Sequence, residues 1–135
     1  MDNLRMHHVG CLVDSILTTF QSYQLLYPKA HLSTIYNIES QKVRVAFLNL
    51  GSDVLIELVE VADENSSLNK MMKKGVSFYH LAFIVLNFDE RLELLQNQNF
   101  RLISVFNSEA FENRRCAFLY SPEMQLLEII EGYLA

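Results

Sequence analysis

Glycine, proline, cysteine and tryptophan are all scarce in this chain: its 135 residues include four Gly, two Pro, two Cys and no Trp. So few breakers exclude collagen-like and low-complexity chains, and a hydrophobic fraction of 50% against 20% charged excludes disorder. The length predicts a single domain over residues 1–135. Cys11 and Cys116 are too few for a disulfide scaffold and too widely spaced for a CxxC metal motif, which predicts two reduced thiols in a cytoplasmic protein. No apolar run approaches the ~18 residues of a membrane span, and Asp2, Arg5, His7, His8 and Asp14 interrupt any signal-peptide pattern. The net charge, 11 − 16 = −5, argues against nucleic-acid or anionic-membrane partners. The four glycines are too scattered for a GxGxxG loop, and no Ser-His-Asp arrangement is evident.

What the chain does have is an internal repeat, the first thing to seek before local assignment. Val43–Glu60 (VRVAFLNLGSDVLIELVE) lies over Arg114–Glu131 (RRCAFLYSPEMQLLEIIE) without a gap, with seven of 18 positions identical. These are Arg44/Arg115, Ala46/Ala117, Phe47/Phe118, Leu48/Leu119, Leu55/Leu126, Glu57/Glu128 and Glu60/Glu131. Nearer each start, HHVGCLV (His7–Val13) lies over YHLAFIV (Tyr79–Val85), matching His8 to His80 and Val13 to Val85. The chain reads as a tandem duplication.

Local patterns follow the same register. Met6–Val13 and Phe78–Val85 are apolar runs of strand length. Ile16, Phe20 and Tyr23, and then Phe88, Leu92 and Leu95, recur at helical spacing. Pro28 should stop the first helix, and Asn87 with Glu90 has the form of a capping box for the second. Three strands should follow in each half: about 31–38, 42–50 and 53–61, then 100–106, 114–120 and 124–131. Short turns at Gly51-Ser52 and Ser121-Pro122 should join the last two of each set. Ser66–Lys74 should be a short helix closed by Gly75. The predicted architecture is α+β, with two tandem βαβββ modules (about 6–61 and 78–131) joined by a linker helix (about 62–77).

Side chains alternate along a strand, so duplicated residues should face the same way in both modules. Val9, Cys11 and Val13, with Leu81, Phe83 and Val85, should cover the helices. His8 and His80 should then face the opposite, concave side. Glu57 and Glu128 sit inside the most apolar segments, VLIELVE and QLLEIIE, where an unpaired carboxylate costs several kcal/mol. If the two concave faces close on each other, a pseudo-twofold gathers two imidazoles and two carboxylates, a donor set for a divalent metal. The plainer alternative is hydrogen-bonded core histidines, with each Glu paired to Arg44 or Arg115. Glu60 and Glu131 face the other way and read as solvated strand ends.

At these residues the sequence resembles the vicinal oxygen chelate superfamily of glyoxalases, bleomycin-resistance proteins and extradiol dioxygenases. The resemblance spans about residues 6–131. KVRVAFLNLG, IELVE, DENSSLNKMMKKG and YHLAF are most similar to methylmalonyl-CoA epimerases and glyoxalase I-like proteins. It implies a curved mixed sheet around a metal-binding cleft, with one divalent ion (zinc, nickel, cobalt or manganese) held by His8, Glu57, His80 and Glu128. The implied activity is that of a lyase or isomerase acting on a small carbonyl compound or acyl thioester through a metal-stabilised enolate or enediolate. Glu128, and second to it Glu57, would move the proton. A cytoplasmic homodimer acting on a small molecule is the further implication. Two departures from the epimerases stand out: Val45 where some carry an acidic residue, and Asn107–Asn113 (NSEAFEN) where they have a glycine-rich loop. Lys70, Lys73, Lys74, Arg114 and Arg115 are candidates for coenzyme A phosphates, against the plainer reading of a solvated basic helix end. The main alternative function is a metal-free small-molecule binding or sequestering protein of the same fold. An extradiol dioxygenase comes third, those enzymes having longer chains.

Overall fold

The computed structural model describes residues 4–66 and 68–132. Contacts divide the chain into two compact units, His8–Tyr79 and His80 onward with the first seven residues. In order, the elements are β1 (Leu4–Val13), α1 (Ile16–Leu26), β2 (His31–Leu32), β3 (Tyr36–Ile38), β4 (Val43–Asn49), β5 (Leu55–Val61), α2 (Asn69–Lys73), β6 (Phe78–Val85), α3 (Phe88–Asn97), β7 (Arg101–Ser108), β8 (Arg114–Tyr120) and β9 (Leu126–Glu131). This is the expected α+β arrangement of two βαβββ modules. No helix among the described residues is long and apolar enough to cross a membrane.

In the first unit β4 takes β2 and β3 on one side and β5 on the other, all antiparallel, and β5 runs parallel to β1. In the second unit the order is β6-β9-β8-β7, again parallel only between the first and last strands of the module, β6 and β9. The alternation predicted from sequence holds at Cys11, Val13 and Val85. Cys11 and Val13 pack with Ile16, Phe20 and Tyr23 of α1, together with Ala46, Leu48 and Leu58. Val85 packs with Phe88, Leu92 and Leu95 of α3, and with Ala117, Leu119 and Ile129. On the opposite face of the second unit, Ala82, Cys116 and Ile130 form their own cluster with Ile84, Phe106 and Phe111.

Several local expectations are revised. The strand expected over 31–38 is broken into β2 and β3, because Ser33 substitutes its side chain for a ladder group: the Phe47 amide donates to Ser33 Oγ at 2.8 Å. The Gly51-Ser52 and Ser121-Pro122 turns are wider than expected, spanning residues 50–54 and 121–125. Asn87 does stand at the N-cap of α3, but its side chain accepts no cap hydrogen bond, so the capping box is not formed. The side-chain cap is instead at α1, where Ser15 accepts from the Thr18 amide. Gly75 closes α2 as expected: at φ +80° it donates to Met72, and Val76 donates to Met71, the two bonds of a Schellman motif. The glycine-free 107–113 segment is a 3₁₀ turn over Glu109–Phe111, followed by Glu112 and Asn113 at φ of 55° and 61°. It therefore makes a left-handed corner without glycine, held by Asn107 Nδ2 donating to the Asn113 carbonyl at 2.6 Å.

Candidate metal centre

Each unit carries one imidazole and one carboxylate at matching places. In the first, His8 of β1 is fully buried and Glu57 of β5 is 7% exposed, with Nε2 and Oε1 3.4 Å apart. In the second, His80 of β6 and Glu128 of β9 are 3% and 4% exposed, with the same two atoms 3.2 Å apart. The register explains the pairing. Glu57 stands beside Gly10, and Glu128 beside Ala82, on the parallel neighbour strand. Residues this small leave room for the carboxylate to reach the histidine two positions earlier on the same face. Across the other ladder stand Phe47 and Phe118, directly opposite Glu57 and Glu128. Their rings lie 5.4 Å from His8 and 5.2 Å from His80. Sequence reasoning singled out all four polar residues but passed over the two phenylalanines, although both are among the seven identities of the repeat.

The donor set fits a cation. Ligands each about 2.1 Å from a shared ion stand roughly 3.0–3.4 Å apart in octahedral or tetrahedral geometry. Both His–Glu separations fall in that range. His8, Glu57, His80 and Glu128 are the kind of His and carboxylate group that could hold a divalent metal ion.

The arginine alternative is overturned. Arg44 lies directly opposite Glu60 rather than Glu57, and its Nε donates to Glu60 Oε2 at 2.8 Å. Arg115 likewise donates to Glu131 at 2.8 Å and, through two nitrogens, to Asp89 at 2.9 and 3.1 Å. Glu60 and Glu131 are therefore ion-paired groups and not merely solvated strand ends. Glu60 also accepts the Ile16 amide at 2.9 Å, satisfying a donor at the start of α1. Burial raises the Glu60 carboxyl pKa, but the Ile16 amide and Arg44 outweigh it, and the net shift is downward. Hydrogen bonds from Arg115 hold Glu131 and Asp89 below their ordinary values, and those two carboxylates in turn raise the guanidinium pKa. With its guanidinium also 4.7 Å over the Phe88 ring, Arg115 ties β8 and β9 to α3. It is a structural residue and a poor candidate for a phosphate. Lys70 and Lys73 sit in the last turn of α2, where they suit the helix dipole. Val45 is buried.

The family model of the glyoxalase/bleomycin resistance protein/dioxygenase superfamily matches residues 7–118. The uncharacterized protein YqjC of Bacillus subtilis (strain 168) is 32% identical over 130 residues, covering 94% of this chain and 91% of that one. Among solved structures, a hypothetical protein from Bacillus halodurans C-125 is 27% identical, with a TM-score of 0.86 over 99% of this chain and 98% of the other. Methylmalonyl-CoA epimerase from Mycobacterium tuberculosis is 26% identical, with a TM-score of 0.82 over 96% and 88%. Duplicated βαβββ modules, with a buried His–Glu pair in each, thus agree with what the comparisons find: this chain belongs to the glyoxalase/bleomycin resistance protein/dioxygenase superfamily.

Proposed function

We propose that His8, Glu57, His80 and Glu128 together hold one divalent cation, and that the protein is a metal-dependent lyase or isomerase acting on a small carbonyl compound or acyl thioester. The observation that carries this reading is the matched pair of buried imidazole–carboxylate contacts, 3.4 and 3.2 Å, one in each module. Zinc, nickel, cobalt and manganese all accept such a mixed nitrogen and oxygen set. The likeness to methylmalonyl-CoA epimerases, 26% identical over 96% of this chain in one case, supports the isomerase class.

A bound cation supplies Lewis acidity toward a substrate oxygen, stabilising the charge that develops when the neighbouring C–H proton leaves. The remaining work falls to the protein. Glu128 takes that proton as general base and returns it as general acid, with Glu57 as the second candidate. His8 and His80 stay in place while a carboxylate moves the proton. Val59 and Ile130, two positions beyond each Glu and on the same face of its strand, are buried and keep water from competing for the proton. The same reading makes the working enzyme a cytoplasmic homodimer, and the buried thiols Cys11 and Cys116 suit a reducing compartment.

The test is metal content joined to proton exchange. Protein purified without chelators should hold close to one equivalent of metal, and His8→Ala and Glu128→Ala should each lose most of it. In deuterated water the enzyme should exchange the α-proton of methylmalonyl-CoA, or that of the glutathione hemithioacetal of methylglyoxal. Unchanged metal content in both variants removes the site. Full metal with no exchange on either compound removes the proton-transfer chemistry.

A further inference from the structure

We propose that Ser104 is a substrate-binding residue whose hydroxyl donates to a second oxygen of the substrate, across Phe118 from the Glu128 carboxylate. This deepens the reading above and rests on it. The two copies of the repeat are unequal here. Ser33 and Ser104 are 104 − 33 = 71 residues apart, the same spacing as Phe47/Phe118 and Glu57/Glu128. Ser33 is fully engaged: the Phe47 amide donates to its Oγ, and the hydroxyl donates to the Thr34 carbonyl at 2.9 Å. The Ser104 hydroxyl has no protein partner among the described residues, and its side chain is only half-buried.

A β-bulge places it. Strand β7 pairs Leu102 with Leu119 and then, skipping Ile103, pairs Ser104 with Phe118. The extra residue reverses the alternation of β7. Before it, Leu102 packs on the α3 side of the sheet. Beyond it, Phe106 packs with Ala82, Cys116 and Ile130 on the other face. Without the bulge, Ile103 would occupy that face and Ser104 would turn toward the helix. With it, Ala82, Glu128, Phe118 and Ser104 form one row across four strands. At ~4.8 Å between strands, the Ser104 backbone stands roughly 9–10 Å from that of Glu128. The floor between them is apolar, formed by Phe118 with Phe106 stacked beside it at 5.6 Å between ring centroids. A row of this kind fits a short-chain substrate with two oxygen-bearing ends and an apolar middle. One end is worked on at Glu128, and the other accepts from Ser104.

The test titrates succinate, glutarate and adipate, with butyrate as the one-ended control, into wild-type, Ser104→Ala and Ser104→Thr protein. Binding is followed by ligand NMR, with and without zinc. The best two-ended acid should bind wild type about tenfold more tightly than butyrate, the size of one hydrogen bond to a charged acceptor. Ser104→Ala should lose that preference while its butyrate affinity holds, and Ser104→Thr should keep most of it. A preference that survives in Ser104→Ala, or is absent from wild type, overturns the inference. The zinc arms report on the metal reading alone. If every acid binds equally well without zinc, the metal reading fails, whereas the ratio of two-ended to one-ended binding still decides the role of Ser104.

Discussion

Replacing His80 and Glu128 together by apolar residues of similar size should make the metal-free protein more stable. Both side chains are almost wholly buried, Glu128 lies between Leu127 and Ile129, and its oxygen is 3.2 Å from the imidazole. Taking a carboxylate out of water costs several kcal/mol, which a nearby imidazole offsets only in part, and replacing buried polar pairs by well-packed apolar residues often gains about 1–4 kcal/mol. A His80→Leu/Glu128→Met variant should therefore unfold in EDTA above the wild type. A gain of about 2 kcal/mol corresponds to roughly 6–10 °C for a chain of this size. Saturating metal should reverse the order. At a free concentration of about 100 times the dissociation constant, binding stabilises the wild type by ~2.7 kcal/mol. The variant should gain little or nothing. Thermal unfolding by circular dichroism, with EDTA and then with zinc, reads both effects. A variant less stable than wild type in EDTA, or one that gains as much from zinc, refutes the claim that these groups are a burden relieved by a cation.

Two further outcomes follow from the packing and the ion pairs. Gly132→Ala should destabilise by about 1–3 kcal/mol, because the added methyl would stand 2.3 Å from Ile84 Cγ2, and Ile84→Ala in the same chain should restore part of the loss in a denaturant titration. Acid should weaken the second module through Glu131 and Asp89. Their folded pKa values lie below the ordinary values near 4, so the stability they contribute is present above those values and is lost as pH falls through the folded ones. Arg115→Gln should therefore lower the melting temperature at neutral pH and flatten its decline below about pH 4, and an acid limb as steep as that of the wild type would exclude this assignment.

Most of the architecture was legible because the chain presents its pattern twice. A single Glu inside VLIELVE is ambiguous, but the same residue recurring inside QLLEIIE, behind a recurring His, restricts the reading sharply. Strand faces were legible for the same reason, since alternation is fixed once one residue of a strand is placed. Features decided by side chain–backbone competition were not legible. Nothing in HLSTIYNI announces that the Ser33 hydroxyl will take a ladder bond and split the strand. Nothing in RLISVFNS announces the bulge at Ile103. The capping box failed because Asn87 adopts φ −103° and ψ 76° and its side chain makes no cap bond, a backbone choice that local sequence does not dictate.

The two glutamates of each final strand differ in how the fold meets their charge. Glu57 and Glu60, like Glu128 and Glu131, are three residues apart and so lie on opposite faces of their strand. On the helix face, Glu60 is met by Arg44, directly across the antiparallel ladder, and Glu131 by Arg115, the two carboxylates having side-chain exposures of 17% and 25%. There the charge is compensated by a cation encoded in the chain, and it helps tie the helix to the sheet. On the other face, the residue directly across the same ladder is phenylalanine, Phe47 or Phe118, and each carboxylate has an imidazole nitrogen within 3.4 Å. An arginine at either phenylalanine position would neutralise the carboxylate and fill the face, removing the metal affinity and the proton-carrying role proposed for it above. Phe47→Arg and Phe118→Arg should thus abolish metal uptake while leaving the ion pairs at Glu60 and Glu131 intact. Metal analysis of the folded variants checks this, and retention of a full equivalent would mean that the phenylalanines are not what keeps these carboxylates available.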